Sequence, residues 1–204
     1  AAAFTATIIS RAIFGRATIF DIPDLQLLPI SYYGIVILVA LASGLAGVIF
    51  NWGLLNIGRF YSLPCFKRPV QKIAFALICA GILGYFLPEV LGGGNDLINH
   101  LAKAPVSLQL LLIFLAGKLI FTLISYGCGV PGGFFLPMLV IGALCGSICA
   151  QMLIMLGWIE PAYATNIMVV AMAALFASSV RAPITGTVLI MEMTASYQQL
   201  LSLA

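Results

Sequence analysis

Charge is scarce in this chain. Of its 204 residues only 7% are Asp, Glu, Lys or Arg, while 63% are hydrophobic. Soluble domains carry about 25% charged residues. So thin a supply excludes a water-facing globular surface, and lipid must cover much of the protein. Apolar runs recur along the whole length, which excludes a single membrane tail on a soluble domain. At roughly 20 residues per span, the chain holds several helices and little else. The formal charge of +3 is small and scattered, which excludes a nucleic-acid surface. Histidine is nearly absent too. His100 is the single one, and neither HExxH nor GxSxG occurs. An intramembrane hydrolase would need a nucleophile with its base, or a set of metal ligands, so no enzyme reading survives. The opening AAAFTATIIS lacks an initiator Met, a charged n-region and a cleavage site, so it is not a signal peptide. The chain ends LSLA inside an apolar run, and both ends read as cuts in a longer protein. The five cysteines are Cys65, Cys79, Cys128, Cys145 and Cys149. Cys145 and Cys149 share a helix face, but no His, Asp or Glu lies near them to complete a ligand set. They read as small apolar filler, and no metal site is expected.

Residues 1–20 form a mostly apolar stub carrying Arg11 and Arg16, followed by a polar link with Asp21, Pro23 and Asp24. Residues 32–57 are long enough to span a bilayer. Arg59, Lys67, Arg68 and Lys72 collect just beyond. Basic residues in short loops mark the cytoplasmic side, which places the Asp21/Asp24 link on the far side. The apolar run 73–86 is shorter than a full span and ends at Pro88 and Gly92-Gly93-Gly94. A short helix is expected over 95–101 and a long one over 108–125, interrupted only by Lys118. After Gly127-Cys-Gly-Val-Pro-Gly-Gly133 come 134–156, 167–180 and 184–193, the last two separated by Arg181-Ala-Pro183. Several of these pieces are too short to span, with Gly/Pro breaks between them. Irregular backbone at membrane depth is tolerated only where it is buried or lines a polar cavity. Interrupted helices with ends inside the membrane are how transporters build ion sites.

One break carries chemistry: Gly129-Val-Pro-Gly-Gly-Phe-Phe-Leu-Pro137, opening the apolar run 138–153. An anion crossing a membrane needs partial rather than full positive charge, since a full charge would hold it too tightly for rapid passage. Free backbone N–H groups at a helix N-terminus supply that, and the helix dipole adds to it. Gly132 and Gly133 allow close backbone approach. Pro137 falls in the first helical turn, where its missing N–H costs no intrahelical bond. The N–H groups of Phe134 and Phe135 are then the natural donors, with their rings packed aside. No acid lies between Asp96 and Glu160 to repel an anion. The spacing by itself also serves an ordinary helix start.

Gly133-Phe-Phe-Leu-Pro137 resembles the GxFxP motif of the CLC family of voltage-gated chloride channels and chloride/proton antiporters. Ser125-Tyr-Gly-Cys-Gly-Val-Pro-Gly-Gly is similar to the family's lead into that motif. Leu91-Gly-Gly-Gly94, Arg181-Ala-Pro-Ile-Thr-Gly186 and Glu192-Met-Thr194 follow the order and spacing of its second half. The resemblance covers nearly the whole chain, from about helix I to the start of helix Q. It implies an all-α integral membrane fold, a multi-helix bundle of tilted and broken helices. Residues 1–20 would end the first repeat, and 21–204 would be the second inverted-topology repeat, truncated at its C-terminus. It implies anion transport with Gly133, Phe134, Phe135, Leu136 and Pro137 around bound chloride, and no other cofactor. It also implies a homodimer in the lipid bilayer, joined through the N-terminal stub, the 184–193 helix and Leu200. A bacterial inner membrane is the expected location. The family's GSGIP and GxEGP loops and its pore tyrosine have no match in this chain and would lie outside it. Channel and antiporter both stay open, as does a truncated, non-conducting subunit with an assembly or regulatory role.

Other features have plainer readings. Lys118 and Glu192 are intramembrane charges, expected to be structurally paired or to reach the interface. Arg181 reads as a helix cap or an interface residue, and His100 as a surface residue. Gly142 and Gly146 form a small-xxx-small face for close helix packing. Tyr32, Tyr33, Trp52 and Trp158 read as interfacial anchors.

Overall fold

The computed structural model describes Thr5, Ile9, Phe20, Ile22 and residues 28–66, 68–104 and 106–194. Most of the N-terminal stub with Arg11 and Arg16, the residues Asp21, Pro23 and Asp24, Lys67 and Leu200 lie outside them. The described residues form seven α-helices and no strand. These are α1 (Tyr33–Phe60), α2 (Pro69–Phe86), α3 (Asn95–Lys103), α4 (Leu108–Gly127), α5 (Phe135–Met155), α6 (Ala164–Val180) and α7 (Pro183–Thr194). Short 3-10 turns precede α1 and α6 and bracket α2. Five segments are long and apolar enough to cross a membrane: Ile30–Phe60, Pro69–Phe86, Leu108–Gly127, Phe135–Met155 and Pro161–Val180.

Two of these correct the sequence reading. The runs 73–86 and 167–180 are the apolar parts of longer helices. Pro69 supplies the first position of α2, where its fixed φ suits a helix start. The Arg68 N–H donates to Gln71 Oε1 at 3.0 Å and closes the turn. α6 gains a turn through Ala164–Asn166, continuous with the turn at Pro161–Tyr163. Counting apolar residues stops at the polar first turn; α2 is carried past it by Pro69 and the Arg68–Gln71 bond, and α6 by continuity with the preceding 3-10 turn. The break at Arg181 is real. This residue ends α6 at φ 59° and ψ 32°, and its N–H donates to Ala177 O at 2.9 Å. It is the only non-glycine with positive φ among the described residues.

α5 is the centre of the molecule. From Met138 to Leu144 every side chain is buried, so this helix is apolar on all sides because it has neighbours on all sides. It packs most extensively on α6, then on α4, with α1 and α3 beside it. Gly142 and Gly146 set the α5–α6 distance. A Cβ at Gly146 would stand 2.6 Å from Met168 Cα, and one at Gly142 would stand 2.8 Å from Met172 Cα. This bears out the small-residue face. Cys145 and Cys149 sit beside it as partly buried members of the core. Outward, α1 and α2 present Leu41, Leu55, Val70, Leu77, Tyr85 and Phe86. Trp52 and Trp158 are exposed as well. Water could not face so apolar a surface.

The last third of α1 ties down the ends of two other helices. Asn51 Nδ2 donates to Ser179 O at 2.9 Å in the final turn of α6. The Tyr61 hydroxyl donates to Ile124 O at 2.9 Å in the final turn of α4. Both carbonyls are among the last four of their helices, which have no intrahelical partner. Tyr61 is buried and meets Phe60, Phe66 and Phe75 edge-on or tilted. Gly127 lets its ring approach, since a Cβ there would lie 2.7 Å from Tyr61 Cε2. Tyr61→Phe should therefore lower stability by about 1 kcal/mol, the net worth of one part-buried hydrogen bond. Thermal unfolding in detergent measures it, and an unchanged midpoint would refute the anchor.

Candidate anion site

The segment after α4 runs irregularly from Cys128 to Phe134 before α5 begins. Gly129 turns the chain at φ 84°, just past the C-cap Cys128. Phe134 is the N-cap of α5, with φ −101° and ψ 2°. Phe135, Leu136 and Pro137 therefore occupy the first three helical positions. The first intrahelical bond is Met138 N–H to Phe134 O at 3.0 Å. The N–H groups of Phe134, Phe135 and Leu136 have no intrahelical acceptor, and Pro137 has no N–H to orphan. The sequence reading of Pro137 holds, and Leu136 joins the two phenylalanines as a third donor.

Both rings are drawn aside. Phe134 meets Tyr126 edge-on at 5.5 Å, and Phe135 meets Phe176 of α6 edge-on at 5.8 Å. Gly133 is exposed, and a Cβ there would meet nothing within 4 Å. Neither packing nor backbone strain demands glycine at this point.

The N-terminal turn of α5 opens into a cleft of about 590 Å³. Its floor is the segment from Val130 to Pro137. One wall is the turn Leu91–Gly93, and the other is α4, contributing Lys118, Thr122 and Ser125. Among the described residues no Asp or Glu lines it. Sequence reasoning had singled out the two glycine segments separately; the fold brings them together. It had not placed α4 in the site, although a signal was present. Lys118, Thr122 and Ser125 are spaced i, i+4, i+7 and mark one face of an otherwise apolar helix.

Lys118 is buried to 1% exposure, and its Nζ donates to Val90 O at 2.8 Å and Gly92 O at 2.9 Å. Thr122 Oγ1 returns a bond to Lys118 O at 2.7 Å. Its partners are main-chain carbonyls, so the expectation of a structural partner holds. The remaining flagged residues stand apart from the cleft. His100 Nδ1 lies 3.5 Å from Glu89 Oε2 with both side chains about half exposed, which agrees with a surface residue. Glu192 is exposed on α7, and Arg181 is the exposed C-cap of α6.

Comparison with known proteins follows this geometry. A family model described as voltage gated chloride channel matches residues 1–204. The chain is 34% identical over 208 residues to an H(+)/Cl(-) exchange transporter ClcA of Vibrio campbellii, covering 98% of this chain and 44% of that protein. It is 35% identical over 211 residues to an H(+)/Cl(-) exchange transporter ClcA of Salmonella agona, with the same coverage. Its fold matches the X-ray structure of a slow cyanobacterial Cl-/H+ antiporter with a TM-score of 0.83 at 28% identity, over 97% of this chain and 47% of that one. The chain thus spans about half the length of these relatives. Five helical segments long and apolar enough to cross a membrane, a broken α6–α7 pair and a match to one family model over residues 1–204 agree: this chain is a multi-pass membrane protein and belongs to the voltage-gated chloride channel family.

Proposed function

We propose that this chain supplies half of a pore for chloride, and that the site is the N-terminal turn of α5. The observation that carries this is the set of three main-chain N–H groups, at Phe134, Phe135 and Leu136, free of intrahelical acceptors at the edge of a cleft that no acid lines among the described residues. Such a turn offers an anion hydrogen bonds and partial positive charge, while Lys118 in the cleft wall has two donors committed to Val90 O and Gly92 O. Gly133 leaves the approach open, and Pro137 stiffens the turn without withdrawing a donor. The names of the relatives favour proton-coupled exchange over a passive channel. A non-conducting role would leave the cleft and its donors without a purpose.

In the same reading residues 21–204 form one inverted repeat, and the remaining pore elements come from elsewhere in the full protein. Two copies associate through the N-terminal stub, the 184–193 helix and Leu200. The bacterial relatives support an inner-membrane location. The test is a crystal of the full protein soaked in bromide. Anomalous density is expected within hydrogen-bonding distance of the N–H groups of residues 134–136. Density only elsewhere would overturn the assignment. Because the donors are backbone, Phe135→Ala should keep measurable halide binding in calorimetry, while losing the ring that shields the site.

A further inference from the structure

Lys118 sits halfway along a membrane-spanning helix, and its burial has to be explained. An amine taken out of water is unfavourable unless its donors are satisfied. Here the satisfying groups are Val90 O and Gly92 O, which belong to a turn 26 to 28 residues upstream. That turn is unusual in its own right. Gly92 and Gly94 have φ of 66° and 90°, and a Cβ on Gly94 would collide with Val140 at 2.6 Å and crowd Lys118 Nζ at 3.2 Å. A Cβ on Gly93 would press on Leu136 Cδ1 at 3.2 Å. Gly93 and Gly94 thus let the turn lie directly against the first two turns of α5, and Gly92 contributes its positive φ. The turn joins the 3-10 turn Pro88–Val90 to Gly94, the N-cap of α3, and between those two ends the carbonyls of Val90 and Gly92 point at one side chain from α4. The same turn, the same lysine and Leu136 line one cleft.

We propose that Lys118 is a positioning residue for the anion site: it clamps the Leu91–Gly94 turn against the N-terminal turn of α5 and so sets the width of the cleft in front of the free N–H groups. This rests on the site reading above. Lys118 acts through the turn and is not a ligand of the ion, because two of its donors are already committed to carbonyls. The geometry also explains why a lysine serves. A single flexible head group can span two carbonyls from one side, which an apolar side chain cannot do.

The experiment uses the full protein with three variants, Lys118→Met, Lys118→Arg and Phe134→Glu. Two readouts are taken: calorimetric bromide affinity, and amide hydrogen exchange of residues 90–95 by mass spectrometry. Lys118→Met keeps length and removes every donor, so both carbonyls lose their partner. Exchange in the turn should rise, and bromide affinity should fall by about tenfold. Lys118→Arg retains donors and should restore most of both. Affinity lost with exchange unchanged would mean that the charge acts on the ion directly, and would overturn the clamp. Exchange raised with affinity unchanged, or neither changed, would overturn it as well. If Lys118→Met does not fold, Gly93→Ala keeps the lysine and pushes the turn off Leu136. It should also weaken bromide binding, and parental affinity in that variant would refute the proposal. Phe134→Glu separates the two readings: if it binds bromide like the parent, the site assignment fails; if it loses binding while Lys118→Met does not, only the clamp fails.

Discussion

Phe134→Glu should all but eliminate chloride binding by the full protein while leaving it folded. Phe134 is the N-cap of α5, partly buried at the cleft, with its ring against Tyr126 and its N–H among the three free donors. A carboxylate on this side chain would stand beside the anion at a half-buried position. At about 4 Å and an effective dielectric of about 20, two like charges repel by about 4 kcal/mol. That is about three decades of affinity. The helix itself should tolerate the change, since an acid at a helix N-terminus interacts favourably with the dipole. This separates loss of the ion from loss of the fold. Calorimetric titration with chloride, alongside thermal unfolding, reads both. Chloride affinity equal to the parent's would remove the N-terminal turn of α5 from the pathway. Gly133→Val belongs to the same series with a smaller effect. Its Cβ enters open space, so folding is unaffected, but the branched side chain obstructs the approach to the donors.

Gly146→Leu should leave no properly folded protein, and Gly146→Ala should be destabilised by about 3 kcal/mol or more, beyond the ordinary range for overpacking. The reason is what the new atom meets. A Cβ at Gly146 would lie 2.6 Å from Met168 Cα and 2.7 Å from Ala171 Cβ. Neither atom can rotate away, so α5 and α6 must separate along the most heavily packed seam of the molecule. In lipid there is no hydrophobic gain to hold them at the larger distance, because association there depends on close van der Waals contact. Size-exclusion profile and thermal unfolding in detergent are the measurements. A monodisperse Gly146→Leu protein melting with the parent would mean that α5 and α6 do not meet at this face. Gly133→Ala is the control, since its Cβ is unopposed and stability should be unchanged.

The two glycine predictions differ because the same residue type answers different needs. Gly142 and Gly146 were legible as a packing face, but not the helix they meet. The start of α5 was legible in more detail. Gly132-Gly133 followed by Pro137 constrains the backbone over a few residues, and the orphan N–H groups follow from hydrogen-bond spacing inside the same helix. The break at Arg181-Ala-Pro183 was legible for the same reason, since a proline restrains the residue before it. Membrane class followed from composition. The lengths of α2 and α6 were misjudged because their first turns are polar: that of α2 is held by Pro69 and the Arg68–Gln71 bond, and that of α6 continues the 3-10 turn Pro161–Tyr163.

What the sequence by itself determined is thus local: where the chain is apolar enough to enter lipid, where it must break, and which helix end is left with free donors. What only the tertiary structure decided is which parts meet. That Lys118 reaches Val90 and Gly92, that the Leu91–Gly93 turn faces Phe134–Pro137, and that Tyr61 closes the end of α4 all join residues far apart in the chain. The physical reason lies in the helices. In water an amphipathic stripe announces which face turns inward. These spans are apolar all round, and in lipid their contacts are chosen by close packing of small residues and by a few buried hydrogen bonds. Those terms exist only once two helices are in place against each other.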